Sequence, residues 1–256
     1  MKHLVSFSGG LGSWMCARRV AEQYGTDDLY LVFTDVLIED EDLYRFLPEA
    51  AADVGGKLIW LKGDRDPWDV FREKRYMGNT LIAHCSEELK TKPFYKWVSE
   101  QGWGSDDFTV YLGIDWTESH RLENAKKRRP EVHFEAPLCE KPLLTKEHIL
   151  TELKSAGIEL PKLYKMGFSH NNCGGCCVKA GQGQWARVLE EMPERYADFE
   201  KRQEDLMRDI PTTRPFLRMT IDKKKNYLSL KDFRKHIENG KTVDTLSIGG
   251  CGCFLD

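Results

Sequence analysis

A short apolar run, Leu4-Val5-Ser6-Phe7, breaks into Ser8-Gly9-Gly10-Leu11-Gly12-Ser13 and continues as a helix-forming stretch from about Trp14 to Tyr24. Strand, glycine-rich turn and helix in this order make an anion site, because the backbone N–H groups of the turn and the positive end of the helix dipole face one point. Two familiar versions are excluded. A Walker loop needs Gly-Lys-Ser/Thr, and no lysine follows Gly12. The dinucleotide fingerprint starting at Gly10 and Gly12 needs a third glycine where Met15 stands. What remains is an S-G-G-x-x-S loop whose hydroxyls, Ser8 and Ser13, can add hydrogen bonds to a pyrophosphate. The plainer alternative is an ordinary glycine turn between strand and helix.

Further strand-like runs follow at Leu29–Thr34, closed by Asp35, at Leu58–Leu61 and at Phe108–Gly113, with a helix over 41–54 that carries Glu39 to Asp42 at its start. Acids there suit the helix dipole. Strands alternating with helices predict an α/β core with a mainly parallel sheet over residues 1–136. From about Pro137 to residue 256 the pattern is mostly helical, with helices expected at Lys146–Ala156, Gln184–Glu191, Glu194–Arg208 and Leu230–Asn239, the last stopped by Gly240.

Lys and Arg number 38 against 41 Asp and Glu, a net charge of −3, which argues against a chain coated in nucleic acid. Lys126–Arg129 and Lys223–Lys225 are local basic stretches, each equally readable as solvated surface. No apolar run approaches the roughly 18–20 residues of a membrane span. The start lacks a secretory pattern, so a cytoplasmic protein without membrane partners is expected. In that setting the eight cysteines point to ligands, nucleophiles or buried thiols rather than structural disulfides. Cys16 and Cys139 read as core thiols. Cys173, Cys176 and Cys177 form C-x-x-C-C, and Cys251 and Cys253 form C-x-C, both in glycine-rich patches where the backbone can wrap a metal or cluster.

Four ordered stretches carry a family resemblance. Ser8-Gly9-Gly10-x-x-Ser13 resembles the PP-loop of the adenine nucleotide alpha-hydrolase-like superfamily. His84-Cys85-Ser86-Glu87-Glu88-Leu89-Lys90-Thr91-Lys92-Pro93 is similar to its C-x-x-x-x-K…P segment. Gly113-Ile114-Asp115-Trp116-Thr117-Glu118-Ser119-His120-Arg121 is similar to G-I-R-x-x-E-S-x-R, with Asp115 where Arg is usual. Pro137-Leu138 through Gly167-Phe168 to Cys173-x-x-Cys176 resembles its closing segment. Within the superfamily the chain is similar to the branch of PAPS reductases and the ATP pyrophosphatases of DNA phosphorothioation.

The resemblance implies a Rossmann-like sheet with helices on both faces and a phosphate site at Ser8, Gly9, Gly10, Gly12 and Ser13. Asp35 would orient adenosine or Mg²⁺, or simply cap a helix. Lys90, Lys92 and Arg121 would neutralise anionic oxygens, with Glu118 positioning Arg121. Cys173, Cys176 and Cys177, with Cys85 as fourth thiol, would hold a 4Fe-4S cluster. Zinc is the second option and persulfide or dithiol chemistry the third. Cys251 and Cys253 would form a redox-active arm, although Gly249-Gly250-Cys251-Gly252-Cys253-Phe254-Leu255-Asp256 lacks the Glu and His of the sulfonucleotide reductase tail. Three functions remain open. The first is ATP-dependent adenylation of a nucleic-acid phosphate or base, in DNA or RNA, for sulfur insertion, with a cysteine desulfurase or other sulfur donor as partner. The second is a PAPS or APS reductase that releases sulfite. The third is a non-catalytic nucleotide-binding subunit of a modification or defence complex.

Overall fold

The structure, a computed structural model, describes residues 1–221 and 224–249. The chain opens with β1 (Lys2–Ser6), α1 (Leu11–Tyr24), β2 (Leu29–Asp35), α2 (Glu41–Val54) and β3 (Lys57–Lys62). Next come α3 (Pro67–Lys74), α4 (His84–Ser86), a π-helical turn at Glu87–Thr91, α5 (Lys92–Glu100), β4 (Phe108–Tyr111), α6 (His120–Arg128) and β5 (His133–Glu135). The five strands form one parallel sheet in the order β3-β2-β1-β4-β5. Val5 of β1 sits between Leu31 of β2 and Tyr111 of β4. This is the expected α/β, Rossmann-like fold.

Alternation along each strand splits the core into two faces. Val5 and Phe7, Leu31 and Phe33, and Tyr111 pack on one face with Trp14 of α1 and Phe46 and Leu47 of α2. Leu4, Val32, Val110 and Phe134 pack on the other face with Phe94 and Val98 of α5 and Ala125 of α6. Burial on both faces explains why these strands read as nearly continuous apolar runs.

Beyond β5 come α7 (Lys146–Ser155), α8 (Lys162–Lys165), α9 (Gln182–Glu191), α10 (Pro193–Asp209), the hairpin β6 (Leu217–Ile221) and β7 (Lys224–Leu228), and α11 (Leu230–Glu238). The four expected helices stand within about two residues of their predicted ends. The hairpin falls in a stretch read as mostly helical, yet its first strand alternates: Leu217 and Met219 are buried while Arg218 and Thr220 are not.

Side chains from both sides of residue 136 share clusters. Ile149 and Leu153 of α7 complete the first face. Trp68 and Phe71 of α3 join Trp185, Tyr196, Phe199 and Phe233 in a third cluster, which also holds Cys173, Cys176 and Cys177. Among the described residues, no helix is long and apolar enough to cross a membrane.

Candidate active site

From β1 the chain moves outward through β2 to β3, and β4 and β5 lie on the other side. The sheet therefore has its topological switch point between β1 and β4, where open α/β sheets bind ligands beyond the carboxyl ends of the strands. A cleft lies there, lined by Ser6–Ser8, Gly10, Gly12 and Ser13 after β1, by Val32–Thr34 of β2, and by Leu112–Ile114 after β4.

The loop is shaped for an anion. α1 starts at Leu11 without a side-chain cap, and no acceptor among the described residues takes the N–H of Gly10, Gly12 or Ser13. Those three donors and the dipole of a 14-residue helix are available to phosphate oxygens. Ser13 Oγ donates to Gly10 O at 2.9 Å, and Ser8 Oγ stands 3.4 Å from Ser13 Oγ. Gly12 has a packing reason as well. A Cβ there would lie 2.7 Å from Gly113 O, and one on Gly113 would lie 2.7 Å from Ser13 N. The phosphate loop and the end of β4 touch through two glycines.

Lys90, Glu118 and Arg121 all line the cleft. Lys90 is buried in the π-helical turn, a departure from α geometry that often marks functional sites. Arg121 donates to Glu118 at 2.5 Å. The sequence reading missed Tyr164, His170, Asn171 and Asn172, which complete the wall. Tyr164 Oη accepts from Leu11 N at 3.2 Å. The one signal for the others is the polar run Ser169-His170-Asn171-Asn172 immediately before Cys173.

A second, apolar cavity adjoins the cleft, and Lys90 lines both. Its walls include Trp68, Phe71 and Phe199 and all four thiols of the expected set, Cys85, Cys173, Cys176 and Cys177. Burial pushes Cys85 up to about 12, with nearby Cys173 adding and Lys90 opposing. Burial likewise pushes Cys176 up to about 12, against the pull of Arg195, which hydrogen-bonds to it. The turn that presents these thiols has three successive left-handed residues, Cys173 (φ 52°), Gly174 (φ 53°) and Gly175 (φ 81°). For Cys173 that conformation is strained, as is common where geometry serves function. Gly174 N donates to Glu39 Oε2 at 3.2 Å, and Arg195 donates to Ile38 O across the same glycine.

The cavity suits a sulfur-rich anion. Trp68 Nε1 and Ser86 Oγ, both of cavity-lining residues, are buried without a hydrogen-bond partner among the described residues; as donors they match sulfide or thiolate sulfur. The described residues hold no group of three His, Cys, Asp or Glu side chains arranged for a metal ion. The four thiols are thus not drawn round one point, but lining one cavity they supply the donor types that a cluster or zinc would use.

Other expected residues lie elsewhere. Asp35 does not line the cleft. It is buried, and its carboxylate accepts from Leu37 N (2.9 Å), Tyr44 Oη (3.0 Å) and Trp60 Nε1 (3.3 Å), so it braces the end of β2. Asp115 accepts from Thr117 N at 2.8 Å and starts a 3₁₀ turn. Lys92 is exposed and pairs with Glu88. Lys126 is exposed and pairs loosely with Glu123 (3.9 Å), while half-buried Arg129 lies over the Tyr95 ring, 4.3 Å from its centroid, and reaches Glu131 at 4.0 Å. Cys16 is fully buried, and half-buried Cys139 directs its thiol at Ile114 O, 3.5 Å away. Cys251 and Cys253 lie outside the described residues. The chain just before them is anchored: Gly181 N donates to Ile248 O and Gly183 N to Ser247 O, both at 2.9 Å. Ile248 and Gly249 share a small pocket with His170, Asn172 and Cys177.

No protein-family model and no curated protein matches the sequence. Among solved structures, the chain is similar to a phosphoadenylyl-sulfate (PAPS) reductase from Candida auris in a phosphate complex, with TM-score 0.44 and 16% identity over 66% of this chain and 78% of that one. It is also similar to a predicted subunit of tRNA methyltransferase from Methanocaldococcus jannaschii, with TM-score 0.34 and 16% identity over 76% of this chain and 88% of that one.

Proposed function

We propose that the chain is a PP-loop enzyme of the adenine nucleotide alpha-hydrolase-like kind, related to the ATP pyrophosphatases of DNA phosphorothioation. It binds ATP in the cleft and adenylates an acceptor for sulfur insertion. The observation that carries this reading is the juxtaposition of an anion-binding loop with a four-thiol cavity across one lysine, Lys90.

The N–H groups of Gly10, Gly12 and Ser13 hold the β- and γ-phosphates, while Val32, Phe33, Leu112 and Ile114 offer apolar wall to the base. Glu118 is the one carboxylate lining the cleft among the described residues, so Mg²⁺ would be held mainly by the phosphates, where it would offset their charge. An acceptor oxygen attacks the α-phosphorus, the bond to the bridging oxygen breaks, and pyrophosphate leaves. Lys90 and Arg121 stabilise the charge that develops on the phosphoryl oxygens. The oxygen is thereby converted from a poor leaving group into AMP. The terminal sulfur of a donor persulfide, supplied by a cysteine desulfurase or equivalent, then expels AMP and leaves acceptor and donor joined through S–S. An external dithiol attacks the donor-side sulfur and releases the acceptor as a thiolate; its second thiol then displaces the donor thiol and closes the dithiol to a disulfide. Cys85, Cys173, Cys176 and Cys177 would hold a 4Fe-4S cluster, which when bound supplies electrons and sulfur-binding iron beside the nucleotide. The acceptor is a DNA or RNA phosphate or base.

The test is pyrophosphate release from ATP by anaerobically purified protein, with DNA or RNA and a desulfurase present. Pyrophosphate formation that depends on acceptor supports the reading. Sulfite release from PAPS or APS with a dithiol, without pyrophosphate from ATP, overturns it in favour of a reductase. Iron and sulfide in the same preparation support the cluster; stoichiometric zinc or metal-free thiols overturn it.

A further inference from the structure

Asn171 takes no part in the chemistry above, yet its placement is unusual. It is 1% exposed, and its Nδ2 donates to the carbonyl of Gly9, 162 residues away, at 2.9 Å. Its Oδ1 is buried and has no hydrogen-bond partner among the described residues. Reversing the amide would set two carbonyl oxygens against each other, so the bond to Gly9 fixes which way it points. An orphaned buried acceptor is destabilising, and an apolar residue of the same size would avoid it. The position therefore retains an amide for the one bond it makes.

That bond acts on the most freely turning peptide of the loop. The carbonyl of Gly9 and the N–H of Gly10 belong to one planar trans unit and point in opposite directions. With glycine on both sides, and Gly9 at φ 74°, the unit has little intrinsic preference for one orientation. Turned over, it would present a carbonyl oxygen to the phosphate. With its oxygen held by Asn171, the unit directs the Gly10 N–H away from Asn171, and Gly10 lines the cleft with that N–H unclaimed. Two residues further on, Cys173 enters the strained turn of the thiol cavity.

We propose that Asn171 is a positioning residue: it locks the Gly9–Gly10 peptide with its N–H toward the bound anion and so ties the phosphate loop to the thiol turn. The proposal rests on the reading of the cleft as a phosphate site. Binding free energies couple reciprocally, so an anion on the loop steadies the turn and the turn steadies the loop.

The experiment uses the full chain, prepared free of metal so that Cys173 carries a free thiol, its Asn171→Asp variant, which keeps the shape and loses the donor, and its Asn171→Ala variant, which adds no charge. Inorganic pyrophosphate is the probe. Calorimetry gives its affinity, ¹⁵N-resolved NMR follows the Gly10 amide, and peptide mass spectrometry gives the alkylation rate of Cys173 with and without pyrophosphate. In the parent, pyrophosphate moves the Gly10 resonance downfield and slows alkylation. In both variants the affinity falls about tenfold or more, the scale of one charge-assisted hydrogen bond, and both responses disappear. Parent-like affinity with an unchanged Gly10 shift in a folded Asn171→Ala protein overturns the proposal. A parent protein that binds neither pyrophosphate nor ATP overturns the phosphate-site reading itself.

Discussion

The cleft proposed to take phosphate and the thiol cavity meet at Lys90 but are built from opposite materials. The cleft is made largely by backbone: the anion donors proposed for it are N–H groups of Gly10, Gly12 and Ser13, neighbours along the chain, and Gly12 packs against Gly113 with no room for a Cβ on either. The cavity is made by side chains from distant segments, with α3 and Cys85 on one side and Cys173–Val178 and Phe199 on the other. A backbone site tolerates changes in its surroundings and resists any added Cβ. A side-chain site depends on long-range packing and resists loss of volume or charge.

The largest effect expected from this contrast is that of Gly113→Ala. The new Cβ would meet backbone on the phosphate loop, which cannot rotate aside as a side chain would. Overpacking of this kind costs about 1–3 kcal/mol, and here the displaced atoms are the anion donors. Affinity for pyrophosphate should fall at least a hundredfold, with a lower melting temperature. Retention of parent affinity by calorimetry would break the claim that backbone builds the cleft.

Lys90→Met comes next, because it removes the charge common to both regions while keeping most of the apolar stem. Removing one preorganised transition-state donor typically costs about 10²–10³ in kcat, and a drop of that size is expected in pyrophosphate release. Cys85 also loses the cation that opposes its raised pKa. Its alkylation should slow in the same variant, whereas a loss confined to kcat would place Lys90 in the cleft alone. Arg121→Gln sharpens the boundary from the other side. Arg121 lines the cleft and not the cavity, so turnover should fall about ten- to a hundredfold, within the range for lost charge stabilisation. Thiol reactivity and iron content should stay at parent levels.

The same contrast accounts for what the sequence revealed. β1, the Ser8–Ser13 loop and α1 are contiguous and follow local periodicity, so strand, turn and helix could be read directly. Lys90 and Arg121, which line the cleft, stand out in the sequence by the company they keep in short motifs. Tyr164 and Asn171 escaped because their partners, Leu11 N and Gly9 O, lie more than 150 residues away and no local pattern encodes such a contact. Asp35 left two roles open for a related reason. A carboxylate at a strand end resembles a ligand until Tyr44 from α2 and Trp60 from the neighbouring strand take up its oxygens. β5 spans three residues, too few to show a period, and the β6–β7 hairpin was hidden by the helices around it.

The smallest expected effect concerns the cavity's outer support. Glu88 follows Cys85 in the π-helical turn and pairs with Lys74 at the end of α3 and with Lys92 at the start of α5, each at 2.7 Å. Hydrogen bonds from these two lysines hold its carboxyl down to about 2. A carboxylate depressed in the folded state adds stability above its unfolded pKa, near 4.5, and loses it as pH falls toward 2. Both lysines are largely exposed, so screening limits the contribution to about 1 kcal/mol. Glu88→Gln should therefore melt a few degrees below the parent at pH 7, with the gap closing between pH 4.5 and 2. Because Glu88 anchors α3, which supplies Trp68 and Phe71 to the cavity, the protein at low pH should expose Cys85 to alkylation, at a rate normalised to a model thiol, before it loses pyrophosphate binding. Simultaneous loss of both would show that the two regions open as one unit and that their different construction has no separate energetic expression.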